Sequence, residues 1–259
     1  MTSQITPAWR DFAGCSVLMP PEPIAVIHFL GGAFVAAAPH LTYSWLLERL
    51  ASSGYAVIAT PFINTLDHKS IAGEVLRSFE RTCARLTLID LPVYGLGHSM
   101  GCKLHLLIGS LFPVERAGNI LVSYNNFSAR NAIPLVDQLP PPLAFEFDPS
   151  PRRTNLIIEQ RYRVRRNLLV RFTNDTLDQS QILAQQLESL FPAKLTTSVT
   201  LDGSHLTALG NHQLWQNAFG QVGQVFTPFD AVGQWFKQEV TREIRQLEGV
   251  VLRWLTQAA

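Results

Sequence analysis

Apolar residues in this chain gather into short runs that alternate with stretches of helical spacing. Ile24–Phe29 is apolar apart from His28, and Tyr43–Ser52 then spreads Trp45, Leu46 and Leu50 at helical intervals before Gly54. The first pattern predicts a buried strand and the second a helix that ends at the glycine. Tyr55–Ala59 is the next predicted strand, closed by Thr60-Pro61. Between Asp67 and Leu86, the residues Ile71, Val75, Phe79, Cys83 and Leu86 recur at steps of four and three, which marks one face of an amphipathic helix. A short apolar strand from Val93 leads to Gly97, and the segment from Met100 to Phe112 is apolar nearly all round and stops at Pro113. Strands at Asn119–Ser123, Asn167–Phe172 and Leu195–Leu201 follow, with a helix from about Ser180 to Leu190. Phe229–Trp254 places Val232, Trp235, Phe236, Ile244, Leu247, Val251 and Trp254 at helical spacing, a face suited to core packing, with dimer contact as the weaker reading. This alternation predicts an α/β protein with a mostly parallel sheet and helices on both faces.

One block breaks the rhythm. Residues 131–166 carry Pro134, Pro140, Pro141, Pro142, Pro149 and Pro151 and show no single period. The expected reading is a cap inserted over the sheet edge where ligands bind, with residues 1–130 and 167–259 as the core; an irregular crossover is the alternative. Trp9–Met19 has room for one or two abbreviated strands ahead of the first long one.

The chain has 259 residues, of which 47% are hydrophobic and 16% charged, enough for one large domain and too apolar for disorder. A net charge of +1 gives no general attraction to nucleic acid. The longest apolar stretch, Ile24–Ala38, is interrupted by His28 and two glycines and is shorter than the roughly 20 residues a membrane span needs, so no stable membrane insertion is expected. The first residues lack a basic head followed by an apolar core, which predicts no secretory signal. Cys15, Cys83 and Cys102 cannot all pair and lack metal-ligand spacing, so reduced thiols in the cytoplasm are expected. Arginines at 152, 153, 161, 163, 165, 166 and 171 form a cluster that reads first as a solvated face and second as an anion site near the cap.

Gly97-His98-Ser99-Met100-Gly101 lies between the predicted strand from Val93 and the apolar helix, and this is the sequence form of a nucleophile elbow. The serine occupies a forced turn, and Gly97 and Gly101 stand where side chains would collide as strand and helix approach. His98 is the variable position of that turn and reads as structural. An activated serine needs a base and a carboxylate to orient it. Asp175 follows the Asn167–Phe172 strand and His205 follows Leu195–Leu201, so both fall at carboxyl ends of strands, with the serine. Asp178 competes with Asp175 for the acid role, and His212 with His205 for the base; nearness to the strand ends favours Asp175 and His205. Two backbone amides should hold an oxyanion: that of Met100, next to the nucleophile, and one from the His28–Phe34 loop, Leu30 ahead of Gly31.

The segments His28–Phe34, Gly97–Gly101, Asp175 and His205, in that order, resemble the α/β-hydrolase superfamily over about Ile24 to Asn211. More narrowly, His28-Phe-Leu-Gly-Gly-Ala-Phe34, Gly97-His-Ser-Met-Gly101, Phe147-Asp-Pro-Ser-Pro151 and Ser204-His-Leu-Thr207 are similar to an uncharacterised α/β-hydrolase-like family of photosynthetic organisms, with plastid relatives. That resemblance implies an α/β-hydrolase fold, a serine hydrolase without an established substrate, and a cytoplasmic setting. The residues themselves predict ester or thioester hydrolysis of a small acyl substrate by Ser99, His205 and Asp175, with no metal or cofactor, and an apolar cap lined by Leu143, Phe145 and Phe147. A transferase or lyase could use the same groups, and a non-catalytic binding scaffold on this fold is the second hypothesis.

Overall fold

Runs of β-branched and other apolar residues without alternation call for strands covered on both faces, and that is how the centre of the sheet is built. The computed structural model describes residues 7–33, 35–132, 146–210 and 239–257. Among them are the strands β1 (Arg10–Phe12), β2 (Cys15–Leu18), β3 (Ala25–Leu30), β4 (Tyr55–Ala59), β5 (Val93–His98), β6 (Gly118–Val122), β7 (Asn167–Phe172) and β8 (Thr196–Leu201). They form one sheet in the order β1-β2-β4-β3-β5-β6-β7-β8. Pairing is parallel from β4 through β8 and antiparallel at β1–β2 and β2–β4. The abbreviated strands expected in Trp9–Met19 are β1 and β2, turned by Ala13 and Gly14 at φ 56° and 81°, the left-handed pair that suits a tight hairpin.

Alternate residues of the central strands go to opposite faces. Ile27, Phe29, Leu96, Ile120 and Val170 meet Leu46, Leu47 and Leu50 of α2 (Ser44–Ser52), which follows the short α1 (Pro39–Thr42), on the face that also holds Leu247, Val251 and Trp254 of the C-terminal helix. On the other face lie α3 (His68–Arg85), α4 (Met100–Leu111), α6 (Pro151–Arg161) and α7 (Ser180–Leu190), while a short α5 (Ala129–Ala132) follows β6. Helix α3 begins where Asp67 accepts the Ser70 N–H at 2.8 Å, an N-cap of the usual kind.

Of the block expected to form a cap, residues 133–145 lie outside the described residues. Its second half is α6, which buries Ile158 among Cys102, Leu106, Leu183 and Leu187, so this part is the crossover from β6 to β7 and sits in the helical layer. Phe147 is also buried, stacked on His68 with ring centroids 4.2 Å apart. The last predicted helix is described over Glu239–Thr256 (α8), with Ile244, Leu247, Val251 and Trp254 in the core; Val232, Trp235 and Phe236 lie outside the described residues.

Candidate active site

The elbow is set by β5 and α4. Ser99 sits between them at φ 54°, ψ −119°, a left-handed backbone that costs a non-glycine residue on the order of 1–3 kcal/mol. Its neighbours explain how the turn closes. A Cβ on Gly97 would lie 2.6 Å from the Cys102 amide nitrogen, and one on Gly101 would overlap the Leu30 carbonyl oxygen. Backbone therefore crosses backbone on both sides of the serine, leaving its side chain half-exposed at the carboxyl edge of the sheet. Beneath it Cys102 is fully buried, its thiol directed at the Gly97 and Val122 carbonyls, and burial raises its pKa well above the usual thiol value. That is a packing role, not a reactive one.

The structure brings Ser99, His205 and Asp175 together. Ser99 Oγ is 3.0 Å from His205 Nε2, and His205 Nδ1 is 2.9 Å from Asp175 Oδ2. The Asp175 side chain is wholly buried, whereas the imidazole keeps a little exposure. Burial alone would raise the Asp175 carboxyl, but the His205 hydrogen bond and charge, the nearby Ser123 hydroxyl and the Leu177 N–H outweigh it and hold the pKa below the ordinary value. An ionised carboxylate only accepts, so Nδ1 carries the proton and Nε2 is free to accept from the Ser99 hydroxyl. The two loops are joined by backbone: the Asn174 N–H donates to the Gly203 carbonyl at 2.9 Å. Asp178, the alternative acid, faces its own helix start, accepting from the Ser180 N–H at 3.0 Å and the Ser180 hydroxyl at 2.7 Å. Burial raises its pKa. His212 lies outside the described residues.

His98 does more than fill the variable position of the elbow. Gly32 N–H donates to Tyr43 Oη at 2.9 Å, Tyr43 Oη is 2.8 Å from His98 Nδ1, and His98 Nε2 is 2.9 Å from the His205 carbonyl. An amide at one end can only donate and a carbonyl at the other can only accept. Tyr43 therefore gives its proton to Nδ1, and His98 gives the one on Nε2. Burial, helped by nearby His205, lowers the His98 pKa to about 3, which keeps the ring in this neutral form. The chain of three bonds ties the loop after β3 to the peptide of the histidine.

Met100, as the first residue of α4, has no intrahelical acceptor for its N–H. Leu30 is the last residue of β3 and pairs with Gly97. Gly31 follows it, and a Cβ on the next residue, Gly32, would lie 3.4 Å from Ser99 Cβ. Asn125, in the loop after β6, was not singled out by the sequence patterns, yet its side-chain amide donates to Ser99 Oγ at 2.9 Å. The available signal was its place just past a strand end at the ligand-binding edge of the sheet. Among the described residues no cluster of three or more His, Cys, Asp or Glu side chains could hold a metal ion.

A family model described as "Protein of unknown function (DUF1350)" matches residues 8–257. The chain belongs to the DUF1350 family. No curated protein matches this DUF1350 chain. Solved structures share its architecture. It is similar to carboxyl esterase 2 from the mycorrhizal fungus Tuber melanosporum, with TM-score 0.57 and 15% identity over 80% of this chain and 76% of that one. It is also similar to TT1662 from Thermus thermophilus, with TM-score 0.55 and 17% identity over 79% and 93%. A third likeness is to the fluorophosphonate-binding serine hydrolase FphF of Staphylococcus aureus, with TM-score 0.54 and 16% identity over 79% and 88%. At such identities the likeness is one of fold, and the DUF1350 chain has the α/β-hydrolase fold. Among the described residues no helix is long and apolar enough to cross a membrane.

Proposed function

We propose that this protein is a serine hydrolase that cleaves a carboxylic ester or thioester of a small acyl substrate through an acyl-enzyme. The continuous hydrogen-bonded line from Asp175 through His205 to Ser99, at 2.9 and 3.0 Å, carries this reading. Ser99 Oγ bonds to the acyl carbon as its proton passes to His205 Nε2, and His205 gives that proton to the leaving alcohol or thiol as the old C–O or C–S bond breaks. Water then repeats the sequence and frees the serine. Asp175 fixes the imidazole and offsets its charge, while the Met100 amide, with that of Leu30 or Gly31, holds the oxyanion. No metal or cofactor takes part in these steps.

The names of two fold neighbours, a carboxyl esterase and a fluorophosphonate-binding serine hydrolase, agree with this chemistry. The block 131–166, read from its sequence as a cap, carries Leu143 and Phe145, residue types that suit an apolar acyl group. The cytoplasm, implied by the resemblance to relatives in photosynthetic organisms, is the proposed setting, and three free, buried cysteines suit its reducing conditions.

The test is turnover of a panel of p-nitrophenyl esters and acyl thioesters by the wild type and by His205→Ala, with circular dichroism to verify the fold. Turnover should fall by a factor on the order of 10³ or more in the variant. Equal turnover would remove His205 from the mechanism, and a folded wild type inert toward the whole panel would favour a binding scaffold.

A further inference from the structure

A serine hydroxyl has one proton to give and two lone pairs, and at Ser99 two side chains claim them. His205 Nε2 lies 3.0 Å from Oγ and the Asn125 side-chain amide 2.9 Å from it. Since His205 Nδ1–H is committed to the buried Asp175 carboxylate, Nε2 can only accept, and the hydroxyl proton must point toward it. A donor on the other side of Oγ favours that direction, because a group already accepting from an amide turns its own proton elsewhere.

The loop holds Asn125 to this task. β6 ends at Val122, and Ser123 turns the chain at φ 55° while its N–H donates to the Val170 carbonyl at 2.8 Å. Tyr124 is buried, and its carbonyl accepts the Gln179 N–H at 2.7 Å. Asn126 is engaged in structure: its side-chain amide donates to the Pro151 carbonyl and Asn155 Oδ1, each at 3.0 Å, and its N–H to Gln179 Oε1. With residues pinned on either side, Asn125 has Ser99 Oγ as its side-chain hydrogen-bond partner among the described residues. Sheet order adds a further point. β6 flanks β5 on the side opposite β3, so Asn125 approaches from across the serine, away from the Leu30–Gly32 segment. Its amide reaches the nucleophilic oxygen itself, not the place where the loop after β3 would hold a carbonyl oxygen.

We propose that Asn125 is a further catalytic residue, a fixed donor to Ser99 Oγ that aims the hydroxyl proton at His205 and steadies the charge on Oγ whenever that proton is away. This deepens the serine-hydrolase reading and rests on it. In acylation the Oγ–carbon bond forms as the Oγ proton moves to His205 Nε2. In deacylation a water oxygen bonds to the acyl carbon, its proton moves to Nε2, and the carbon–Oγ bond breaks as Oγ takes that proton back. Partial negative charge visits Oγ in both steps, and a preorganised N–H is worth most where charge develops. Asp at this position has the same shape but offers a carboxylate, which would draw the hydroxyl proton away from His205. Leu has the shape and offers neither donor nor acceptor.

The experiment compares second-order rates of Ser99 labelling by a fluorophosphonate probe for the wild type, Asn125→Leu, Asn125→Ala and Asn125→Asp, with thermal melts to establish folding. The expected order is wild type fastest, Leu and Ala slower by about tenfold or more, and Asp slowest. A purely structural asparagine would give the reverse, with isosteric Asp best tolerated. Any order other than the expected one overturns the role of Asn125 and leaves the triad standing. Failure of the wild type to label at Ser99 overturns the reading beneath it.

Discussion

Gly101 is held to glycine by contact with a neighbouring strand. A methyl group there would overlap the Leu30 carbonyl and approach the Gly31 carbonyl within 2.9 Å, both backbone atoms that cannot rotate away. Gly101→Ala should therefore destabilise the protein by about 3 kcal/mol or more, read as a lower denaturant midpoint at unchanged slope. A loss under about 1 kcal/mol would mean that the two segments are free to separate. The glycines of the elbow were legible in the sequence because steric need fixes residue type at fixed offsets from the serine. Asp175 and His205 were legible for a related reason, since each follows a strand closely and chain order limits the choice. Asn125 and Tyr43 left no such trace. Their contacts with Ser99 and His98 span 26 and 55 residues of chain, and no local period encodes a pair that far apart.

Elements were readable where burial imposes a period. β3, β4 and β6 are buried along their whole lengths and stand out as apolar runs, broken only by His28 in β3 and by Gly118 and Asn119 at the start of β6. α3 shows its stripe because only one of its faces is covered, and Asp67 announces its start. β8 is harder to recognise as a strand: it is the edge of the sheet, and its Thr, Ser and Val residues are partly or fully exposed. Within the block 131–166, the part that is described includes a regular helix. The block's prolines hid the period, and one of them, Pro151, stands at the first turn of α6, where a missing N–H costs nothing and the fixed φ suits a helix. The Ser150 hydroxyl accepts from the Arg153 N–H, completing the start of a helix that the proline count had obscured.

At the scale of the molecule, four histidines among the described residues are buried in neutral form, His28, His68, His98 and His105. Burial lowers the last three to about 3 and His28 well below its ordinary value, with nearby cations adding to the effect at His28, His68 and His105. In the unfolded chain each would titrate near 6.5. Between those limits the unfolded state binds protons that the native state refuses, so stability is full above about pH 6.5 and falls as pH drops toward 3. Each ring contributes a slope of about 1.4 kcal/mol per pH unit in that window. Asp175 acts in the same sense at lower pH, its depressed pKa giving stability that is lost as pH falls through the native value. Urea midpoints should thus fall steeply from pH 6.5 to 4.5, and a flat profile over that range would show that these rings take up protons without unfolding.

The account turns on an alcohol made nucleophilic at Ser99, and covalent capture reads that property most directly. Intact-mass spectrometry after incubation with a fluorophosphonate should show one adduct per chain, mapped by peptide analysis to Ser99 and absent from Ser99→Ala. No adduct on the folded wild type, or the same adduct on Ser99→Ala, would contradict it.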